Sequence, residues 1–74
     1  MEKGYEVIMA DGVINLVFAN GYEFIDGDYY FFNRGIYGSK LIVTSYQKDE
    51  VSEINEKIDM KKYMDTIYKG HNIV

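Results

Sequence analysis

Tyr22-Glu23-Phe24-Ile25-Asp26-Gly27-Asp28-Tyr29-Tyr30-Phe31-Phe32-Asn33 holds a complete hairpin signal. Asp26-Gly27 supplies two residues that tolerate positive φ, which a two-residue type I′ turn requires. That loop pairs Phe24 with Tyr29 and Tyr22 with Phe31, an aromatic ladder across two strands. Alternation sends Tyr29 and Phe31 to one face and Tyr30 and Phe32 to the other. A strand aromatic on both sides predicts either a sheet that curls into a small barrel or a second surface covered by a partner.

Outward from this hairpin, Asp11-Gly12, Asn20-Gly21, Gly35 and Gly38 punctuate the chain at strand-length intervals. Strands are predicted near residues 5–10, 13–19, 22–26, 28–33 and 40–46, joined as a meander. A two-residue loop at Asp11-Gly12 would place Met9 opposite Ile14, Val7 opposite Leu16 and Tyr5 opposite Phe18, all apolar. At Asn20-Gly21 a three-residue loop with a bulge would pair Phe18 with Tyr22 and Leu16 with Phe24.

The sheet needs a cover, and the last third of the chain is expected to supply it. Val51, Ile54 and Ile58 fall on one side of a helical projection, with Met60, Tyr63, Met64 and Ile67 nearly opposite. A break at Asp59, a favoured N-cap, would start a second helix from Met60 to Lys69, and Gly70 stands where a C-terminal cap belongs. The 48–58 spacing leans only weakly to helix over strand. The expected fold is α+β in one domain over 1–74. An antiparallel β-meander of about five strands occupies 1–46, as an open sheet or small barrel. One or two helices fill 47–70, and 71–74 is a tail.

The chain has no cysteine and a single histidine, His71, so neither a disulfide nor a structural zinc site is expected to reinforce it. A domain of this size has a small core, which leaves oligomerisation as the available reinforcement. The apolar runs are too short for a membrane span, and Met1-Glu2-Lys3-Gly4 lacks a signal peptide's apolar region, so a cytoplasmic location is expected.

Charge is unevenly placed. Residues 1–33 carry Glu2, Glu6, Asp11, Glu23, Asp26 and Asp28 against Lys3 alone, a net of −5, whereas residues 34–74 come to +1. An acidic sheet repels phosphate backbones, which argues against direct nucleic-acid binding and in favour of a basic protein partner. The lysines of the C-terminal third (Lys57, Lys61, Lys62 and Lys69) are interspersed with Glu56, Asp59 and Asp65, as on a solvated face.

Signals for chemistry are sparse. Asp26 and Asp28 flank a turn but lack the further oxygen ligands a calcium loop needs, so no metal is expected. Residues 34–40 combine two glycines with Arg34 and Lys40, yet their spacing is not that of a phosphate-binding P-loop. Three serines and a lone histidine near the end of the chain make a poor case for a catalytic triad. The expectation is a binding protein rather than an enzyme, with no cofactor. Tyrosine interleaved with acid buries area at low entropic cost and keeps a polar tip. Glu23, Asp26, Asp28, Tyr30, Phe32, Arg34 and Tyr37 are the expected partner-binding residues, docking onto a basic surface of a larger protein. Small phage-encoded inhibitors of host defence use such a surface to occupy a nucleic-acid groove. The alternative expectation is a homo-oligomer that binds a small ligand or nucleotide with its aromatic faces and the 34–40 loop.

Overall fold

The structure, a computed structural model, describes residues 2–57 and the backbone of residues 72–73. Among the described residues there are seven strands: β1 (Lys3–Met9), β2 (Ile14–Ala19), β3 (Gly21–Ile25), β4 (Asp28–Arg34), β5 (Lys40–Gln47), β6 (Val51–Lys57) and β7 (Asn72–Ile73). They form two sheets. Sheet A has the order β6-β1-β2-β7, antiparallel except that the two-residue β7 runs parallel to β2. Sheet B is the antiparallel trio β3-β4-β5.

The fold therefore departs from the expected α+β meander. The described residues contain no α-helix, only single 3-10 turns at Ile36–Gly38 and Lys48–Glu50. Of the segment expected to be helical, residues 51–57 are strand β6, paired along β1. A bulge explains the misleading pattern. Ile8 pairs with Glu53 and Met9 with Val51, so Ser52 is skipped and Val51 lands on the same face as Ile54. Two apolar residues three apart then imitate helical spacing, and both pack against the core. The expected break at Asp59 and the helix from Met60 to Lys69 lie outside the described residues. Within the expected tail, Asn72 and Ile73 pair with Asn15 and Leu16.

The single meander is corrected as well, because β2 and β3 belong to different sheets. The expected pairings of Phe18 with Tyr22 and Leu16 with Phe24 do not occur. Asn20 is where the chain changes sheet. Its backbone N–H donates to the Phe32 carbonyl at 2.9 Å and to Asn33 Oδ1 at 3.0 Å. Its own Oδ1 accepts from the Arg34 N–H at 2.6 Å. These bonds tie the end of β2 to the end of β4, so Gly21 enters sheet B instead of folding back on β2.

The β1–β2 hairpin exists, but its register is one residue from the expected one, with Tyr5 opposite Val17 and Val7 opposite Asn15. Its loop holds three residues, Ala10, Asp11 and Gly12. Met9 N–H donates to the Val13 carbonyl, Gly12 N–H returns to the Met9 carbonyl, and Gly12 sits at φ +91°. Asp11 Oδ1 accepts from the Val13 N–H at 3.0 Å, an Asx-type contact that stabilises this three-residue form. The β3–β4 hairpin is as expected: Phe24 faces Tyr29, Tyr22 faces Phe31, and Asp26 (φ 49°) and Gly27 (φ 86°) both take positive φ.

The core lies between the sheets. Tyr5, Val7, Val17 and Ala19 from sheet A meet Phe31 from sheet B, with Met9, Tyr29, Tyr46, Val51 and Ile54 around them. Phe31 is fully buried and in edge contact with Tyr5 (5.3 Å between ring centroids) and Tyr46 (6.0 Å). Edge-to-face geometry sets the positive rim of one ring against the negative face of the next. On the other face of sheet A, Leu16 is fully buried and its cross-strand partner Glu6 nearly so.

Candidate functional site

Since Phe31 points into the core, the pleat turns its neighbours Tyr30 and Phe32 to the outer face of sheet B. Cross-strand pairing extends that face: Gly21, Phe32 and Ile42 align, as do Glu23, Tyr30 and Ser45, then Ile25, Asp28 and Gln47. Arg34 and Lys40 pair at one end of it. Five of the seven expected contact residues (Glu23, Asp28, Tyr30, Phe32 and Arg34) thus share one face. The remaining two stand at opposite ends, Asp26 in the β3–β4 turn and Tyr37 at the tip of the β4–β5 loop.

Phe32 does not serve as an exposed contact. Its ring lies over Gly21, where a Cβ would come within 3.1 Å of the ring, and only 6% of the residue is exposed. Strand glycines leave a hole that a cross-strand aromatic can fill, and Phe32 fills this one. Lys40 Nζ stands 4.8 Å and Arg34 Cζ 5.5 Å from the ring centroid, within cation–π range. Lys40 also pairs with Glu23. Phe32 is accordingly a platform that holds two cations, and Glu23 is neutralised beside it.

At the other end the surface is acidic. Asp28 Oδ2 accepts a long hydrogen bond from the Tyr30 hydroxyl at 3.4 Å, and among the described residues neither Asp26 nor Asp28 forms an ion pair. Ile25 beside them is about half exposed. The face is thus polarised along β4, carboxylates at the start and cations at the finish. Arg34 reaches this face by alternation along β4, and Lys40 joins it only through cross-strand pairing, which the linear charge distribution does not show.

The β4–β5 loop is closed by its own bonds. Gly35 N–H donates to the Ser39 carbonyl at 2.6 Å and Gly38 N–H to the Gly35 carbonyl at 3.2 Å, so these amides are already spent within the loop. Tyr37 is fully exposed and held at φ 68°, and Ile36 is 81% exposed. A non-glycine residue in this region costs about 1–2 kcal/mol. Two large apolar side chains are thereby offered to solvent on a loop whose backbone is pinned.

Behind the face, burial pushes the phenol of Tyr5 above its ordinary range, and the Glu56 carboxylate and Tyr22 add to the effect. Burial does the same to Tyr46, with Thr44 and Asn15 acting in the opposite sense. Neither reaches hydrogen-bonding geometry, and the Tyr46 hydroxyl is buried without a partner among the described residues. A shallow depression of about 410 Å³ lies at the β1–β2 loop, lined by Met9, Ala10, Asp11, Val13, Asn15, Asp49 and Glu50. Among the described residues no group of three His, Cys, Asp or Glu side chains is arranged to hold a metal ion, and no helix is long and apolar enough to cross a membrane. The chain matches no protein-family model, no curated protein and no solved structure.

Proposed function

We propose that this chain is a protein-interaction module that docks the outer face of sheet B onto a larger protein. The acidic end, formed by Asp26, Asp28, Tyr30 and Ile25, meets a basic patch on that protein. The observation that carries the reading is the company these carboxylates keep: they lack cationic partners among the described residues and adjoin a half-exposed isoleucine. An apolar centre with unneutralised charge beside it gives both buried area and electrostatic steering. Glu23 is excluded from the charged contact because Lys40 already satisfies it.

The test is retention of host proteins on the immobilised chain, comparing the natural sequence with the Asp26→Asn/Asp28→Asn double variant at low and high salt. A protein retained by the first, lost with the second and released by salt would support the reading. Retention indifferent to both carboxylates and to ionic strength would overturn it.

A further inference from the structure

An edge strand exposes a row of unpaired N–H and C=O groups, and proteins guard such edges with charge, brevity, proline or bulges. Among the described residues the sheet edges are β3, β5, β6 and the two-residue β7, the last too short to template a partner strand. β6 is guarded by Glu53, Glu56 and Lys57, and β3 is five residues long with Glu23 at its middle. β5 differs from both. It is eight residues long, and from Leu41 to Gln47 it has no charged residue, glycine or proline. Its guard there is one bulge, at Val43, where pairing passes from Phe31–Thr44 to Phe32–Ile42. Leu41 and Ile42 are each 57% exposed, and the loop that leads into the strand presents Ile36 and Tyr37.

We propose that β5 is the contact between two copies of this chain, which pair antiparallel about a two-fold axis near Val43–Thr44. The result is a continuous six-stranded sheet, β3-β4-β5 of one copy followed by β5-β4-β3 of the other. The charges at the strand's ends favour a second copy over an unrelated strand. β5 starts among Arg34, Lys40 and Glu23, a net positive group, and finishes among Asp28, Lys48, Asp49 and Glu50, a net negative one. Antiparallel pairing sets the positive end of each copy against the negative end of the other, so one strand satisfies itself twice across the axis. Val43 then meets its symmetry mate near the axis, while Ile42 and Leu41 lie progressively farther along, opposite the Thr44–Tyr46 stretch of the other copy. A small domain with a thin core and no cysteine for a disulfide gains from such an addition.

The proposal is independent of the docking reading, because it is tested by molecular mass in the absence of any partner. Sedimentation equilibrium of the full chain, from low micromolar to sub-millimolar concentration, should show a monomer–dimer equilibrium. Ile42→Lys should weaken it by about tenfold or more. That side chain is largely exposed, so circular dichroism should show the variant folded. The absence of cysteine supplies a second measurement that does not depend on this variant. Val43→Cys should form a disulfide-linked dimer under mild oxidation, and Ile25→Cys, on the β3 edge, should not. A monomer at every concentration would overturn the proposal. So would a dimer indifferent to Ile42→Lys, or equal cross-linking from both cysteine positions.

Discussion

Among the described residues the Tyr46 hydroxyl is a buried donor without a partner, and the ring that carries it packs on Phe31. Removing an unsatisfied buried polar group while keeping the ring costs nothing in packing, so Tyr46→Phe should leave stability unchanged or raise it by about 1 kcal/mol in urea unfolding. Tyr46 and Tyr5 also set an alkaline limit. Their phenols are raised in the folded protein, so the native state keeps protons that the unfolded chain releases above about pH 10. Their stabilising contribution is complete below that pH and disappears as pH climbs through the folded values. Urea midpoints should therefore hold steady to about pH 10 and then fall, less steeply in Tyr46→Phe. Asn33 Oδ1 accepts from the Asn20 N–H and Asn20 Oδ1 from the Arg34 N–H, the bonds that move the chain between sheets. Asn33→Ala would leave one of those bonds unmade, and a loss of about 1–2 kcal/mol is expected in the same assay. Nothing in the sequence marked Asn33 for this role, since its partner is 13 residues away and the two meet only once both sheets exist.

At the scale of elements, legibility followed turn chemistry. Asp26-Gly27 is flanked by alternating aromatics that suit one register, so the β3–β4 pairing could be read directly. Asp11-Gly12 is equally compatible with a two-residue or a three-residue loop, and β1 and β2 are apolar on both faces. Tyr5, Val7 and Met9 alternate with Ile8, while Val13 and Val17 alternate with Ile14, Leu16 and Phe18. Hydrophobic pattern therefore has no power to choose the register there. The two bulges, at Val43 and Ser52, are invisible for a related reason: one extra residue breaks the period of two that identifies a strand. Gly12 supplies the element-scale prediction. Its φ of +91° disfavours any side chain although the surrounding space is open, so Gly12→Ala should cost about 1–2 kcal/mol through backbone strain alone. Spectra of the folded state should be unchanged. An unaltered urea midpoint would mean that the loop adopts another form.

For the molecule as a whole, stability rests on a small interior. Phe31 is the one side chain of sheet B in the fully buried cluster, and Tyr5, Val7, Val17 and Ala19 close over it. Phe→Ala in a core typically costs about 3–5 kcal/mol, a large share of what a domain of this size possesses. Phe31→Ala should accordingly lose the cooperative thermal transition, whereas Tyr37→Ala, at a fully exposed position, should leave it in place. Of the candidate face, the alternation of Asp28, Tyr30, Phe32 and Arg34 along β4 was legible, and its polarity was not. The sequence separates Glu23 from Lys40 by 17 positions, and only sheet pairing makes them neighbours.

The place of β6 beside β1 has a consequence in time. The β1–β2, β3–β4 and β4–β5 pairs close over short loops, but β1 acquires its second neighbour only from residues 51–57, at the far side of the whole of sheet B. Contacts of long sequence separation form late, since the intervening chain must first be ordered. During synthesis, β1 is thus left with one bare flank until Lys57 has followed it. Cotranslational folding should halt at the β1–β2 hairpin and the three-stranded sheet B, and a nascent chain stalled before Val51 should remain open to protease along Lys3–Met9.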